Sequence, residues 1–398
     1  MKNYVAVFGL GPYQIYGIKR LSKRYKLIGF DVNNKAPGIK YTNKFYNLNK
    51  IDKFKILEIC KNKKINKFFH FSSDFPIKLI HFLNKKINLK NPNRKAELIS
   101  INKLLFRNIL KKNKITVPFF KKIDLKKVES LKLKKDLKYI CKPFSSSGSR
   151  GVFIFKNKKQ LLQNLKKYKK EYLDKNKILI EKFIVGQMYS IEGFYFKNNF
   201  LPICINKNYK EMNYSLANKS ILINFKNKKV FNAGKDLAEK CCRAINVKYT
   251  PVHLEFIIEN KTKKIYPIEV GLRGAGTYIY GTYISKIIKQ NTAELEINLK
   301  EKQKITNFKN NLDKQIYLYF ISMRQSGVFY KLNKKLLRKK LNMKFDVKIL
   351  KNYNTKIHLR NSADDRVAII VFEFKDHNHF KNNYLKIDQI MKANDFVI

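Results

Sequence analysis

The 398-residue sequence predicts an α/β protein: an N-terminal parallel sheet followed by a larger part of mixed α+β character. Three observations predict it. Apolar, β-rich runs alternate with helical stretches from Tyr4 to Asn84, as in strand–helix–strand units of a parallel sheet. Farther on, short β-rich runs pair around glycine. Finally, Pro251–Ile258 and Ile265–Val270 flank Asn260-Lys261-Thr262-Lys263-Lys264 and read as a hairpin.

Taken in order, Tyr4–Phe8 is a buried-strand run, Gly9-Leu10-Gly11-Pro12 a turn and Tyr13–Tyr25 a helix. Leu27–Phe30 is a second strand ending at Asp31. Lys67–Phe71 is a third, followed by Ser72-Ser73-Asp74 and a helix near Pro76–Asn84. Asn91-Pro92-Asn93 marks a boundary. An amphipathic helix, Lys103–Asn113, stops before Val117-Pro118. Strands Tyr139–Phe144 and Val152–Phe155 flank a Ser/Gly loop, and a helix covers Lys159–Tyr172. Ile178–Glu181 and Tyr189–Phe196 are strands, and the helix Lys235–Ile245 precedes the hairpin. Thr292–Asn307 reads as a charged helix and a boundary. Strands Ile316–Met323, Val328–Lys331, Phe345–Leu350 and Val367–Phe374 and a helix near Lys381–Lys392 complete the chain.

A hydrophobic fraction of 44% and an aromatic fraction of 13% are those of a globular chain. No apolar run is long enough to span a bilayer, and the start lacks a secretory h-region, so a cytoplasmic protein is expected. Cys60, Cys141, Cys204, Cys241 and Cys242 fit no C-x-x-C pattern and read as buried free thiols. The net charge of +57 comes mainly from lysine spread over the whole chain, with abundant Asn, Ile, Phe and Tyr. No basic stripe stands out, so no specific nucleic-acid partner and no membrane partner are expected, although anionic small molecules should be drawn in.

The hairpin carries the strongest chemical signal. If its turn is centred on Thr262, Glu255 lies opposite Glu269 and His253 opposite Gly271. Opposed like charges repel, and a bound divalent cation is the obvious reason to keep two facing carboxylates in so basic a chain. The alternative is two solvated carboxylates balanced by nearby lysines. His253 is read either as a hydrogen-bonded strand histidine or as a reactive group. Lys142-Pro143 leads into Phe144-Ser145-Ser146-Ser147-Gly148-Ser149-Arg150-Gly151, a small-residue loop whose N–H groups can cradle phosphates, or simply a hairpin turn. Gly9-Leu10-Gly11, Gly17 and Asp31 approximate a dinucleotide fingerprint, but Gln14 breaks its spacing, and a close strand–helix turn explains them as well. Glu181-Lys182-Phe183-Ile184 ends an apolar strand and can offer backbone groups to a purine.

The order of these motifs resembles the ATP-grasp superfamily of ATP-dependent ligases, in its L-amino-acid ligase and carbamoyl-phosphate-synthase-like branch. Gly9-Leu10-Gly11, Phe30-Asp31-Val32-Asn33 and Ala36-Pro37-Gly38 resemble the pre-ATP-grasp domain, giving residues 1–92 that identity. Asn102-Lys103, Phe106-Arg107 and Ile115-Thr116-Val117-Pro118 resemble the opening of an ATP-grasp domain over 93–300. Gly327-Val328 and Asp364-Asp365-Arg366-Val367 are loosely similar to an α+β C-terminal domain, 301–398.

The resemblance implies ATP with Mg2+ (or Mn2+), and nucleotide contacts at Lys103, Lys142, Ser146, Ser147, Gly148, Ser149, Gly151, Glu181, Lys182, Phe183 and Ile184. It implies metal binding by Glu255 and Glu269, and catalytic roles for Arg273, Lys142 and, in deprotonating an amine, His253. The usual Gly-x-Glu for ribose is Gly186-Gln187-Met188 here, and the usual Asn before the arginine is Gly271. The implied reaction joins a small-molecule carboxylate to an amine through an acyl phosphate, with substrate loops expected at Asn206–Asn232 and Ser72–Pro76; a homodimer is the assembly left open. The rivals are carboxylation or formyl transfer of purine or biotin type and, from the glycine turn, an NAD-dependent oxidoreductase.

Overall fold

The protein is described from a computed structural model covering residues 3–166, 176–211, 215–301, 305, 313–323, 325–359, 362–393 and 396–397. Its N-terminal unit holds strands β1 (Tyr4–Phe8), β2 (Lys26–Asp31), β3 (Lys44–Asn47) and β4 (Phe68–Phe69), in the order β3-β2-β1-β4, all parallel. Helices α1 (Ile15–Arg24), α2 (Lys53–Asn62) and α3 (Ile77–Lys86) complete this unit. Alternate residues of β1 serve two cores: Val5 and Val7 meet Ile18 and Leu21, while Ala6 and Phe8 meet Ile56 and Ile59. This two-sided burial is why the strand reads as a continuous apolar run. Strand β3 is an edge strand with no fully buried residue, so it carried no sequence signal.

Helices α4 (Arg94–Ser100) and α5 (Lys103–Lys112) follow, packed through Ile99, Phe106 and Leu110 on the large sheet. A second sheet, ordered β5-β8-β6-β7, contains β5 (Phe120–Asp124), β6 (Tyr139–Lys142), β7 (Phe153–Phe155) and, after α6 (Lys158–Lys166), β8 (Lys177–Lys182). Part of the helix expected over Lys159–Tyr172 lies outside the described residues.

The largest sheet begins with β9 (Gly186–Phe196), β10 (Asn199–Glu211), β11 (Ser215–Ile223), α7 (Lys228–Ala244), β12 (Thr250–Glu259) and β13 (Ile265–Gly271). The chain then passes a π-helical turn at Ile279–Ile284, α8 (Ser285–Ile288) and α9 (Thr292–Lys300). It ends with β14 (Gln315–Ser322), β15 (Gly327–Phe329), α10 (Lys334–Leu341), β16 (Asp346–Ile349), β17 (Thr355–Ile357), β18 (Arg366–Phe374) and α11 (His377–Ala393). The sheet order is β13-β12-β9-β10-β11-β14-β18-β16, so strands on both sides of the expected 300/301 division share one sheet. The substrate loop expected over Asn206–Asn232 is instead mostly β10, β11 and the start of α7.

Helix α9 is one bridge to the N-terminal unit. Its Glu294 pairs with Arg20 and Arg24 of α1, and Asn298 accepts from Arg24 at 2.8 Å. The five cysteines are buried free thiols, and no helix among the described residues is long and apolar enough to cross a membrane.

The glycine turn has a structural account. Gly9 takes φ +83°. One Asp31 oxygen accepts from the Leu10 N–H and the other from the Asn33 N–H, so both are engaged with this chain's own backbone. Gly17 lies against the Phe71 ring, where a Cβ would come within 2.4 Å. Overpacking of this kind costs about 1–3 kcal/mol. Gly17→Ala is therefore expected to lower the unfolding free energy by that amount, read as a fall in the urea midpoint. An unchanged midpoint would show that α1 is not pinned to the Phe71 ring in this way.

Candidate active site

Helix α5 starts at Asn102, whose side chain accepts from the Leu105 N–H at 3.1 Å and caps the helix. Lys103 at the first turn donates its backbone N–H to the Phe144 carbonyl at 2.9 Å, docking the helix on the chain just beyond β6. One turn on, Arg107 is fully buried and donates Nε to Glu181 Oε1 at 2.6 Å. From β6, Lys142 Nζ reaches Glu181 Oε2 at 2.6 Å. Burial alone would raise the Glu181 pKa, but the Arg107 and Lys142 charges outweigh it and hold the carboxyl at about 2. Burial lowers the Lys142 pKa, an effect that Glu181 only partly offsets.

The hairpin has the expected register at its functional end: His253 faces Gly271 and Glu255 faces Glu269. Beyond that point Phe256 faces Pro267, so Ile268 is a bulge residue. The turn is therefore half a residue off the Thr262 centre, and the bulge restores the facing of the two acids. The bulge also turns the Ile268 carbonyl to Arg107 NH2, at 3.0 Å, tying the hairpin to the buried ion cluster.

Lys103 Nζ lies 2.6 Å from the Ser146 carbonyl and 3.3 Å from Glu269 Oε2. Burial would raise the Glu269 pKa, but Lys103 first, then Arg273 and His253, lower it below the usual carboxylate range. Strand β9 runs beside β12 and sets Ser190 opposite Glu255 and Glu192 opposite His253. His253 Nδ1 is 2.5 Å from Glu192 Oε1, and its Nε2 is 3.7 Å from Glu255. Burial favours a neutral ring, but the Glu192 carboxylate outweighs it and pushes the His253 pKa up to about 10. The ring thus stands between two acids, an arrangement that favours its charged form.

The Ser/Gly loop turns through positive φ at Gly148, Ser149 and Gly151 (+64°, +60° and +68°). Ser146 Oγ donates to the Arg150 carbonyl and Arg150 donates to Ser147 Oγ, both at 2.9 Å. The loop rests on the C-terminal segment, where the Ala363 N–H donates to the Gly148 carbonyl at 3.0 Å.

These groups surround one cavity of about 660 Å³, within the size range of small-molecule sites. Lys103, Lys142, Ser146–Ser149, Glu181–Gln187, Glu255, Glu269 and Arg273 line it, as does His253; Gly151 does not. The Glu181 carboxylate is spent on its two cations, so it offers nothing to a purine. The N–H groups of Lys182 and Phe183 donate to the carbonyls of Phe119 and Lys138, at 2.8 and 2.9 Å. Gln187 donates to the Asn208 carbonyl at 2.8 Å.

Asn208 and Lys210, inside the expected substrate loop, line the cavity, as does Arg366, to which sequence reasoning gave no role of its own; nor did it give one to Arg107. Arg107 was findable, since it stands four residues from Lys103 on one helix face. The segment after Arg273 was missed too. Thr277 and Tyr278 take φ +55° and +63°, and a π-turn follows in which the Tyr283 N–H donates to the Tyr278 carbonyl at 3.2 Å. Positive φ at a β-branched residue is strained, and such strain and π-turns collect at functional sites.

Among the described residues, no group of three or more His, Cys, Asp or Glu side chains is arranged to hold a metal by itself. Two facing carboxylates are nevertheless a fitting donor set for a hard cation that shares phosphate oxygens. Gly271 supplies no ligand. Instead it makes room for Arg273, whose Cζ would lie 3.3 Å from a Cβ there.

The cavity is ringed by lysines and paired acids, a lining suited to a small polyanion. The family model of the ATP-grasp domain matches residues 136–281. The fold agrees over the whole chain with an L-amino acid ligase from Bacillus licheniformis (16% identity, 98% of each chain, TM-score 0.78). It also matches N5-carboxyaminoimidazole ribonucleotide synthetase from Thermotoga maritima (15% identity, 100% of this chain and 99% of that one, TM-score 0.70). A third match is the biotin carboxylase domain of 2-oxoglutarate carboxylase from Hydrogenobacter thermophilus, solved with MgADP and bicarbonate (13% identity, 100% and 90%, TM-score 0.70). No curated protein matches the sequence significantly. Residues 136–281 thus match an ATP-grasp domain, and the chain as a whole shares its fold with an L-amino acid ligase and a ribonucleotide synthetase.

Removing one partner of a buried ion cluster costs about 3–5 kcal/mol, so Glu181→Gln should lower stability by that amount. Because the Glu181 pKa is depressed, its contribution is complete above the ordinary value of 4.5 and is lost as pH falls toward about 2. Urea melts of both proteins from neutral to acid pH should converge across that window. A gap independent of pH would contradict the assignment.

Proposed function

We propose that this protein is a cytoplasmic, ATP-dependent carboxylate–amine ligase that forms an amide bond through an acyl phosphate and releases ADP and phosphate. The observation that carries this reading is the set of Glu255, Glu269, Lys103, Lys142 and Arg273 around one cavity.

In this reading residues 93–300 hold the nucleotide, residues 1–92 cover the substrate end, and 301–398 extend the large sheet and support the Ser/Gly loop. The purine lies along Glu181–Ile184. With the neighbouring N–H groups already donated, Ile184 is the hinge donor left to it. Lys103 and Lys142 give fixed positive charge at the phosphates, and the loop from Ser146 to Gly151 closes over them with its N–H groups. Glu255 and Glu269 are the residues that would hold Mg2+ or Mn2+, which when bound offsets charge on the phosphate oxygens. The substrate carboxylate attacks the γ-phosphate; Arg273 holds the carboxylate and then the acyl phosphate by two parallel hydrogen bonds, a geometry lysine cannot provide. The amine displaces phosphate from the activated carbonyl. His253, held through Nδ1 by Glu192, turns Nε2 toward Glu255. Closure of the loop keeps water from the intermediate.

The test is ADP and phosphate release with pooled amino acids, other carboxylates and amines, followed by mass spectrometry of the product. Release that needs both a carboxylate and an amine is expected. Release that needs only bicarbonate, or bicarbonate and biotin, would replace the ligase reading with a carboxylase.

Glu269→Ala should reduce ATP turnover at least ~100-fold, since lost phosphate-charge stabilisation of a few kcal/mol costs tenfold per 1.36 kcal/mol. Its circular dichroism should be unchanged; retained ADP release in the folded variant would remove Glu269 from the metal site.

A further inference from the structure

Arg273 is held by a carboxylate from the other end of the chain. Its Nε donates to Asp74 Oδ1 at 3.0 Å and its NH2 to Asp74 Oδ2 at 2.6 Å, while NH1 donates to the Gly274 carbonyl at 3.2 Å. Asp74 therefore takes one whole edge of the guanidinium with two parallel bonds, the way a free carboxylate would bind.

The placement is built into the fold. Asp74 belongs to the loop between β4 and α3, and Ser72 in that loop takes φ +48°. Ser72 Oγ donates to the Ala275 carbonyl at 3.1 Å, next to the arginine, and lies 3.2 Å from the Tyr16 hydroxyl. On its other side, the guanidinium folds back over Gly271 into space that a side chain would fill. The Asp74 side chain remains 26% exposed, so an incoming anion can reach the pair.

Building on the role given to Arg273 above, we propose that Asp74 is a stand-in for the anionic group of the substrate. It is a positioning residue that keeps Arg273 aimed at the cavity when no substrate is bound, then yields the Nε/NH2 edge to the oxygens of a carboxylate or acyl phosphate. A buried guanidinium without a partner is costly, and the stand-in avoids that cost in the empty protein. The same contact makes Asp74 a competitor, so it weakens anion binding by the fraction of time it holds the seat.

The experiment is calorimetric titration of the full-length protein with inorganic phosphate, for wild type, Asp74→Asn, Asp74→Glu and Asp74→Asn/Arg273→Gln. MgADP binding serves as the measure of an intact nucleotide end. Asp74→Asn is expected to bind phosphate about tenfold more tightly, Asp74→Glu to return toward wild type, and the double variant to lose the gain. MgADP affinity should stay within about twofold in the single Asp74 variants. If Asp74→Asn fails to bind MgADP, Asp74→Ser replaces it with the same expectation. Equal or weaker phosphate binding in a folded variant, or a gain that survives loss of Arg273, would overturn the proposal and leave a fixed interdomain ion pair. A phosphate gain without any carboxylate-dependent ADP release would overturn the ligase reading and keep the stand-in.

Discussion

Glu181 lies buried between Arg107 and Lys142, and this ion cluster links four parts of the fold. Strands β6 and β8 bring Lys142 and Glu181 from the smaller sheet, α5 brings Arg107, and Arg107 carries the connection to the Ile268 bulge of the hairpin. The cavity lies where these elements converge, so the ion cluster joins the strand that leads into the hinge to the strands that carry the acids. Its net stabilisation is modest because three groups are desolvated, but losing any one leaves buried charge uncompensated. The cluster thereby fixes position: Lys142 is held at the cavity wall with few rotamers, and its ammonium is desolvated where a phosphate would arrive.

The same pattern recurs around the cavity. Lys103 faces Glu269, His253 faces Glu192, and Arg273 faces Asp74. Each of these three groups already has an acid before any nucleotide enters. A polyanion would therefore bind by exchange of partners among groups whose directions are already set, which is the condition under which charged sites act without reorganising. It also explains how a chain of +57 keeps a defined site: specificity resides in a few paired charges, while most lysines lie elsewhere on the molecule.

Local chemistry made much of this legible. The hairpin acids could be read because strand periodicity and a short turn fix a register, and the register was right at Glu255 and Glu269 although a bulge at Ile268 was needed to make it so. The buried strands β1 and β2 were legible as continuous apolar runs. Strands β5 and β10 were not, because Phe120-Lys121-Lys122-Ile123-Asp124 and Lys207-Asn208-Tyr209-Lys210-Glu211 place lysines on strand positions, and long lysine stems can cover apolar surface as they reach for water. The partners Glu192 and Asp74 were hidden for another reason. They lie 61 and 199 residues from His253 and Arg273, and only the order of strands and the docking of the N-terminal unit bring them together. Thr277 and Tyr278 gave no sign at all, since nothing in their residue types announces positive φ.

The central claim is that a carboxylate is activated by transfer of the γ-phosphoryl group to one of its oxygens. Oxygen-18 transfer tests it most directly: a carboxylate substrate labelled in both oxygens is turned over with MgATP and an amine, and the released phosphate is examined by mass spectrometry. The account expects ADP as the nucleotide product and a single labelled oxygen in the phosphate. AMP with pyrophosphate, or ADP with unlabelled phosphate, would contradict it.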